Sequence, residues 1–308
     1  MRLRPIDVIT FGYFAIVSLL VVAFHRRVDH WYAYPLAFAG GAAAAIALIA
    51  VHHRRPTLRI VALLRYVYPL IASPFVYGSI GGYVLILRGH YLDAGMNTFE
   101  TRVYGGHPTL ALQHLTSPPL TELLYACYFG FYLFFVVPPL VLFFRRGSDI
   151  VDQHRDLERY VVTLITALYV CYLGFLFVPL LGPEYSLAGT LHPTVLRGYV
   201  VVPVQQFLMA HGDPLGACFP SAHVAGAWAG LLAIRRVLGR RAFGWLLVPT
   251  IGLTVAVVYT RYHYLTDAFG GLAVAFAVVA VVHAASSRRV VRPRAATPGA
   301  VDEAPAVA

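Results

Sequence analysis

Two short stretches of the chain contain residue types that could do chemistry. "CFPSAH" covers residues 218–223 and "RYHYLTD" covers residues 261–267. His263 and Asp267 are four residues apart, so they would share one face if the segment were helical. An aspartate in that position can accept a hydrogen bond from one imidazole nitrogen and leave the other available as a base or nucleophile. We therefore predict that His263 and Asp267 act as a pair.

The first stretch adds a second histidine in a setting that suits an anion. His223 follows Pro220 and Ser221 at the start of an apolar run. A helix beginning there would offer unpaired backbone N–H groups to an anion, and Arg261 would add a planar donor for phosphate oxygens. Two histidines, an orienting carboxylate and an anion cradle predict phosphoryl transfer. One histidine would attack phosphorus and the other would protonate the leaving oxygen.

The same residues have other interpretations. A His-x-x-x-Asp pair can be a packing device or part of a metal site. Zinc takes three or four ligands, and the nearby candidates His192, His211 and Asp213 have no ligand spacing, so we expect neither a metal nor a cofactor. The alternative function is a proton-coupled transporter that uses the His/Asp cluster as a relay. No pair of corresponding broken helices supports that alternative.

The composition identifies the elements that must position these residues. Of 308 residues, 59% are hydrophobic and 12% are charged, against about 25% charged in soluble domains. A membrane-spanning helix needs about 20 apolar residues, and such runs lie at 8–24, 33–51, 67–87, 119–144, 160–181, 220–238, 242–259 and 264–284. We predict an all-α polytopic membrane bundle of about eight transmembrane helices with a six-helix catalytic core. The region 60–87, interrupted by glycines and prolines, fits a kinked span or a re-entrant segment.

The basic residues predict the orientation of the bundle. The chain has no lysine, and with eight spans and the N-terminus inside, 17 arginines fall on cytoplasmic segments and six on the outside. The positive-inside rule then predicts a multi-pass cell-membrane protein with both termini cytoplasmic and both motifs at the extracytoplasmic face. The net charge of +10 fits this topology and anionic lipid headgroups. We expect a lipid bilayer and a lipid phosphate substrate as partners, and no nucleic acid; the oligomeric state is open.

The pattern along the chain predicts three regions. Residues 1–64 hold N-terminal transmembrane helices, 65–285 form the catalytic core, and 286–308 form a disordered cytoplasmic tail, since this segment is rich in arginine and then in alanine and proline.

Two long polar segments face the same side as the motifs. They cover roughly 88–118 and 182–220, and we expect them to be ordered, with a short interfacial helix near 193–210. Asp93 and Glu100 in the first segment are candidates for a headgroup pocket. Arg197 in the second is a candidate phosphate ligand.

The motifs carry a resemblance to a known family. "CFPSAH", followed about 40 residues later by "HYLTD", resembles the second and third signature motifs of the type 2 phosphatidic acid phosphatase superfamily. The closest likeness is to the branch related to fungal inositol phosphorylceramide synthase, which carries F-P-S-x-H and H-Y-x-x-D. The loop "LDAGMNTFETRVYGGHP" and the following "LTELLYACYFGFYLFFVVPP" also look like this branch. The resemblance covers roughly residues 65–285.

The resemblance implies a role for each motif residue. His263 would be the nucleophile that forms a phosphohistidine, with Asp267 as its orienting group. His223 would be the general acid for the departing alcohol and then the base for the acceptor. Ser221 and the neighbouring backbone N–H groups would hold phosphate oxygens, and no metal is expected. The implied activity is that of a lipid phosphatase or phosphotransferase, with transfer of a phospho-headgroup to a lipid or polyol as in inositol phosphorylceramide synthase.

Two departures separate the chain from the broad-specificity phosphatases of that superfamily. Their first motif has a lysine and, seven residues on, Arg-Pro; this chain has no lysine. They also carry an arginine six residues before the nucleophilic histidine, where this chain has Val257. Arg261, two residues before His263, is the substitute we predict. Both departures favour the synthase-like branch, while the acceptor, water or an alcohol, stays open.

Overall fold

The regular secondary structure of the described residues is helical. The structure is a computed structural model that describes residues 3–145, 150–192 and 196–290. These residues form thirteen α-helices and no strand, which confirms the predicted all-α class. In chain order the helices are α1 (Pro5–Ala23), α2 (Ala33–Arg54), α3 (Arg59–Ser79), α4 (Asp93–Tyr104), α5 (Pro108–Leu112), α6 (Pro118–Phe129), α7 (Leu133–Phe144), α8 (Ile150–Phe177), α9 (Pro183–Ser186), α10 (Val201–Gly212), α11 (Ala222–Val237), α12 (Arg240–Tyr259) and α13 (Leu265–Val290). Residues 291–308 of the predicted tail lie outside the described residues.

Within the described residues, seven segments are long and apolar enough to cross a membrane, so the protein is a multi-pass membrane protein. They are Pro5–Ala23, Ala33–Arg54, Arg59–Gly82, Pro118–Phe144, Val151–Phe177, Arg240–Tyr259 and Leu265–Ser286. The segment Pro118–Phe144 joins α6 and α7 through a short 3-10 turn at Gly130–Tyr132. The region predicted as either a kinked span or a re-entrant segment is a continuous helix of spanning length, although it contains Pro69 and Pro74.

The predicted span at 220–238 is not among these seven segments. It corresponds to α11, which is shorter than they are. Its 16 residues extend over about 24 Å, less than the ~30 Å thickness of a bilayer core. Most of α11 is buried, and it packs against α8, α12 and α13. Close packing requires glycine on this helix. A Cβ atom at Gly226 would lie 2.9 Å from the Phe131 ring, and one at Gly230 would lie 2.8 Å from the Phe134 ring.

A buried ion pair ties the first helix to the rest of the bundle. The guanidinium of Arg65 on α3 donates two hydrogen bonds to the Asp7 carboxylate on α1, and Tyr68 donates a third at 2.9 Å. Arg65 and Asp7 are both buried. Because an unpaired charge is costly in a membrane interior, this pair fixes how α1 sits against α3.

A second carboxylate positions the long segment before α11. Glu122 on α6 accepts hydrogen bonds from the backbone N–H groups of Tyr199 (2.7 Å), Val200 (2.9 Å) and Val201 (2.6 Å). These groups lie at the start of α10, where helix N–H groups have no intrahelical partner. A helix was predicted near 193–210, and α10 lies within that range, beginning at Val201; its interfacial position stays a prediction, and residues 193–195 lie outside the described part.

Candidate active site

The two motif histidines meet at one end of the bundle. His223 lies in the first turn of α11, and His263 lies in the turn between α12 and α13. Their imidazole rings have centroids 6.0 Å apart and planes at 64°. Both residues are buried. The structure therefore brings together two imidazoles from segments 40 residues apart in sequence.

Asp267 accompanies His263 in a different local geometry from the one predicted. His263 precedes α13 instead of lying on it, and its backbone N–H donates to the carbonyl of Val257 at 3.0 Å. Asp267 lies in the first turn of α13, where its carboxylate accepts the N–H of Tyr264 at 2.9 Å. This bond is one half of a capping box. The same oxygen, Oδ2, lies 3.4 Å from His263 Nδ1, so the Asp267 carboxylate both caps the helix and faces the imidazole.

The pair still has unused hydrogen-bonding capacity. Oδ1 of Asp267 is buried and has no hydrogen-bond partner among the described residues. The 3.4 Å separation between Nδ1 and Oδ2 is longer than a charge-assisted hydrogen bond, which is about 2.8 Å. Catalytic hydrogen bonds often tighten only when substrate is present. An imidazolium formed on His263 would draw the carboxylate closer.

Tyr128 contacts His223 directly. The two rings have centroids 4.6 Å apart, and the tyrosine hydroxyl lies 3.1 Å from Nε2 and 3.3 Å from Nδ1. Phe131 packs against the same imidazole, also with centroids 4.6 Å apart. Tyr128 and Phe131 come from the segment around the turn between α6 and α7. These contacts hold the His223 ring and give one of its nitrogens a hydroxyl partner, an arrangement that the sequence alone did not predict.

The start of α11 has the features of an anion cradle. Ser221 is the N-cap residue, and its hydroxyl accepts the N–H of Val224 at 3.4 Å. The Ser221 N–H donates to the carbonyl of Asp267 at 3.0 Å. No hydrogen bond within the described residues uses the N–H groups of Ala222 and His223, so these two amides are the ones that a phosphate could bind. Ser221 was predicted to hold phosphate itself, and its hydroxyl is here engaged in capping the helix.

Arg261, two residues before His263, has a constrained backbone conformation. Its φ of 72° is in the left-handed region, which is uncommon for a residue other than glycine. Its exposed fraction is 8%, and its Nη2 is buried without a hydrogen-bond partner among the described residues. Burial lowers the pKa of Arg261, while Tyr125 and Glu184 act in the opposite direction. A buried guanidinium with an unused donor is suited to an anionic ligand.

Asp93 and Glu100 are buried residues of α4 that hold the backbone around the histidine turn. Asp93 accepts hydrogen bonds from the N–H groups of Leu181 and Gly182 at 2.9 and 3.0 Å, and from the hydroxyl of Tyr264 at 3.0 Å. Glu100 accepts the N–H and the hydroxyl of Thr266 at 3.0 and 3.1 Å. These contacts give both carboxylates a positioning role, whereas their participation in a headgroup pocket stays a prediction.

Arg197 differs from these residues in its burial. It is exposed on the segment that precedes α10. Its role as a phosphate ligand therefore also stays a prediction.

Cys218 is an unpredicted neighbour of the histidine pair. One ligand-type atom from each of Cys218, His263 and Asp267 lies within 4.8 Å of the others, and all three residues are buried. The Cys218 thiol donates to the carbonyl of Tyr262 at 3.3 Å. A metal bound here would use ligand atoms of His263 and Asp267, so a metal site and a metal-free histidine pair are alternatives for this cluster. An activity assay with excess EDTA distinguishes them.

A large apolar cavity adjoins His223. Its volume is about 720 Å³, and it lies among α3, α7, α8, α10 and α11. His223 lines the cavity, whereas His263 and Asp267 do not. Ile71 on α3 and Val136 on α7 also line it, with exposed fractions of 52% and 53%. The cavity is therefore bordered by two spanning segments.

The fold and the site define a multi-pass helical membrane protein with a buried pair of histidines at one end of its bundle. A family model described as "PAP2 superfamily" matches residues 96–281, which is more than half of the chain. The protein therefore belongs to the PAP2 superfamily, and this membership supports a phosphatase- or phosphotransferase-type enzyme. Searches of curated proteins and of solved structures found no match.

Proposed function

We propose that the protein is a membrane lipid phosphatase or phosphotransferase that acts on a lipid phosphate ester through a phosphohistidine. The observation that carries this proposal is the pair of buried imidazoles, 6.0 Å apart, of which that of His223 lines a large apolar cavity. Neither feature alone implies a lipid substrate. Together they suit a molecule whose phosphate reaches the histidines while its hydrocarbon stays among the helices.

In the first step, His263 attacks phosphorus and the bond from phosphorus to the alcohol oxygen breaks. Asp267 stabilises the positive charge that develops on His263. His223 donates a proton to the departing oxygen, so that the alcohol leaves neutral. The amides of Ala222 and His223 and the guanidinium of Arg261 bind the phosphoryl oxygens, whose charge is spread over three atoms.

In the second step, water or an alcohol attacks the phosphohistidine. The bond from phosphorus to nitrogen breaks, His263 returns to its neutral form, and His223 accepts the proton from the attacking hydroxyl. Water as the acceptor releases phosphate or a phosphorylated headgroup. A lipid or polyol hydroxyl gives a new phosphodiester, as in the inositol phosphorylceramide synthase-like branch that the motifs resemble.

The position of the cavity indicates which part of the substrate it would hold. In an in-line displacement the attacking and leaving atoms lie on opposite sides of phosphorus. With His263 as the nucleophile, the alcohol oxygen lies on the His223 side, and His223 is the histidine that lines the cavity. The cavity volume of about 720 Å³ falls within the ~300–1,000 Å³ of small-molecule sites. The alcohol that leaves or attacks would therefore be the lipid.

We further propose that both termini are cytoplasmic and that the site is at the extracytoplasmic face of the cell membrane. The support is the distribution of arginines, 17 against six. A cysteine placed at the exposed position Leu215 is expected to react with a membrane-impermeant maleimide in intact cells. A cysteine at the exposed position Arg241 is expected to react only after permeabilisation. The reverse pattern would overturn this orientation.

The test of the activity is product analysis with a panel of purified lipid phosphates and phosphodiesters in detergent and excess EDTA. We expect turnover by the wild type and its loss in His263→Ala, with His53→Ala, an exposed histidine at the end of α2, as the matched control. Free phosphate would identify a phosphatase, and a new phospholipid would identify a transferase. Turnover abolished by EDTA would contradict the metal-free mechanism. No turnover on any lipid would favour the alternative, a proton-coupled transporter.

A further inference from the structure

The wall of the cavity is mostly apolar. Among its described lining residues, Asp213 is the only carboxylate. Ser73 and Tyr172 also line the cavity, but their hydroxyls are 3.1 Å apart and bond to each other. An isolated carboxylate in such a wall is costly unless it has hydrogen-bond partners. The hydrocarbon of a lipid cannot donate a hydrogen bond to Asp213, so hydrocarbon binding alone does not explain a carboxylate at this position.

Asp213 is held so that part of its carboxylate faces the cavity. It follows α10, and its backbone N–H donates to the carbonyl of Met209 at 3.1 Å. The hydroxyl of Tyr77 on α3 donates a hydrogen bond to Oδ1, while no described residue donates to Oδ2. Asp213 is exposed, and it lines the cavity.

The electrostatic surroundings of Asp213 favour a ligand that donates a hydrogen bond to its carboxylate. Burial raises the pKa of Asp213 to about 6, and the hydrogen bond from Tyr77 and the charge of His263 act in the opposite direction. When a lipid fills the cavity the carboxylate loses contact with water, and a ligand hydroxyl or amide N–H that donated to Oδ2 would offset that loss. An alkyl group in the same place would not offset it.

We infer that Asp213 is a specificity-determining residue, which accepts a hydrogen bond from a hydroxyl or amide N–H next to the ester oxygen of the lipid alcohol. This inference rests on the proposed function, because it assigns the alcohol to the cavity on the His223 side. The substrate class is then a lipid alcohol with a donor group beside its reacting oxygen, and a plain fatty alcohol is disfavoured. A site built to bind a hydroxyl discriminates strongly against the analogue that lacks it.

The experiment compares two substrates on the same protein sample. One is a lysophosphatidic acid, whose free hydroxyl is on the carbon next to the ester carbon, and the other is the analogue in which hydrogen replaces that hydroxyl. We expect kcat/KM of the wild type to be about 10- to 100-fold higher for the first, the ratio that corresponds to one hydrogen bond to a charged group. Asp213→Asn is expected to reduce this ratio to within about threefold of one. Asp152→Asn, an exposed aspartate of α8 paired with Arg155, should keep the wild-type ratio.

The ratio of the kcat/KM values for the two lipids separates a role of Asp213 in specificity from a structural role. It does not depend on the fraction of folded protein, so a partly unfolded variant still gives a valid result. Tyr77→Phe removes the link between α3 and Asp213 but leaves the carboxylate, and we expect it to keep a preference for the hydroxylated lipid. Equal turnover of the two lipids by the wild type, or an unchanged ratio in Asp213→Asn, would overturn the inference.

Failure of the inference and failure of the proposed function give different results. Turnover that needs His263 but ignores the hydroxyl would contradict only the role of Asp213. Turnover that is the same in the wild type and His263→Ala would contradict the phosphohistidine mechanism and, with it, this inference.

Discussion

The hydroxyl of Tyr128 lies 3.1 Å from Nε2 of His223, and the two rings are 4.6 Å apart between centroids. Tyr128 thus controls the orientation of the proposed general acid. We predict that Tyr128→Phe keeps the ring packing but lowers kcat by about 10-fold, part of the ~10²–10⁴-fold that general acid–base catalysis contributes. The pH profile of kcat should also shift, because His223 loses a hydrogen-bond partner.

Tyr160→Phe is the matched control for this substitution. Tyr160 is fully buried in the bundle, and its hydroxyl donates to the carbonyl of Phe134 at 2.7 Å, so its loss affects stability without touching His223. A Tyr128→Phe enzyme with the rate and pH profile of the wild type would show that the contact has no catalytic role.

The pairing of His263 with Asp267 predicts a defect in the first chemical step. Asp267→Asn keeps an oxygen that can cap α13 but removes the charge 3.4 Å from Nδ1. We expect kcat to fall by about 10²- to 10⁴-fold, since a neutral amide cannot stabilise an imidazolium in the same way. Rapid acid-free quenching with radiolabelled substrate should trap less phosphohistidine than in the wild type. Normal accumulation of the intermediate would assign Asp267 to helix capping alone.

Glu100 predicts a pH-dependent difference in stability. Burial raises the pKa of Glu100, and nearby Asp267 adds to the effect. Because the folded state binds this proton more tightly than the unfolded state, the stabilisation is present in acid and is lost as the pH rises through the raised pKa. Glu100→Gln does not titrate and can still accept from Thr266. The difference in melting temperature, Glu100→Gln minus wild type, should therefore be larger at about pH 8 than at about pH 4.

The measurement is thermal unfolding of both proteins in the same detergent at the two pH values. A difference in melting temperature that did not change with pH would mean that the carboxyl of Glu100 keeps its ordinary pKa. A change of opposite sign would mean that its charged form is the favoured one.

The glycines of α11 predict a steric effect in the centre of the bundle. Gly230→Ala would place a methyl group 2.8 Å from the Phe134 ring. Overpacking of this kind costs about 1–3 kcal/mol. Gly244→Ala on α12 is the control, because nothing lies within 4 Å of the position that its Cβ atom would occupy, and alanine favours a helix by ~0.5–1 kcal/mol. We expect opposite shifts in the denaturation midpoint, and shifts of the same sign would contradict the close packing of α11.

Glu122 predicts a local effect on the segment before α10. Glu122→Ala removes the acceptor for the N–H groups of Tyr199, Val200 and Val201. Hydrogen exchange at these amides should accelerate, while exchange in α8 should not change, because no Glu122 hydrogen bond among the described residues reaches that helix. Exchange that was equally fast in the wild type would indicate that the carboxylate does not hold this segment.

Hydrophobic runs predicted the spanning helices well because the bilayer imposes a length on them. The runs at 8–24 and 119–144 correspond to Pro5–Ala23 and Pro118–Phe144. The count of eight was less secure at α11, where the helix has only 16 residues. Its surroundings are other helices, so its length is set by packing and not by the thickness of a hydrocarbon layer.

The site was predictable only where its residues are close in sequence or carry a family motif. The spacing of His263 and Asp267 indicated their pairing, although the capping geometry places His263 outside the helix. Tyr128 lies 95 residues from His223 and is one of 20 tyrosines, so no local pattern distinguishes it. Asp213 was considered only as a metal ligand, since its contact with Tyr77 and its place in the cavity wall depend on how α3 and α10 pack.

The cavity bordered by α3 and α7 has a consequence for kinetics. A lipid that reached His223 from the bilayer by way of this cavity would approach by diffusion in the plane of the membrane. Its effective concentration is then the mole fraction among neighbouring lipids, and diluting the vesicles with buffer leaves that fraction unchanged. Adding an inert lipid lowers it, so the enzyme would respond to the composition of its own bilayer more than to the amount of substrate per litre.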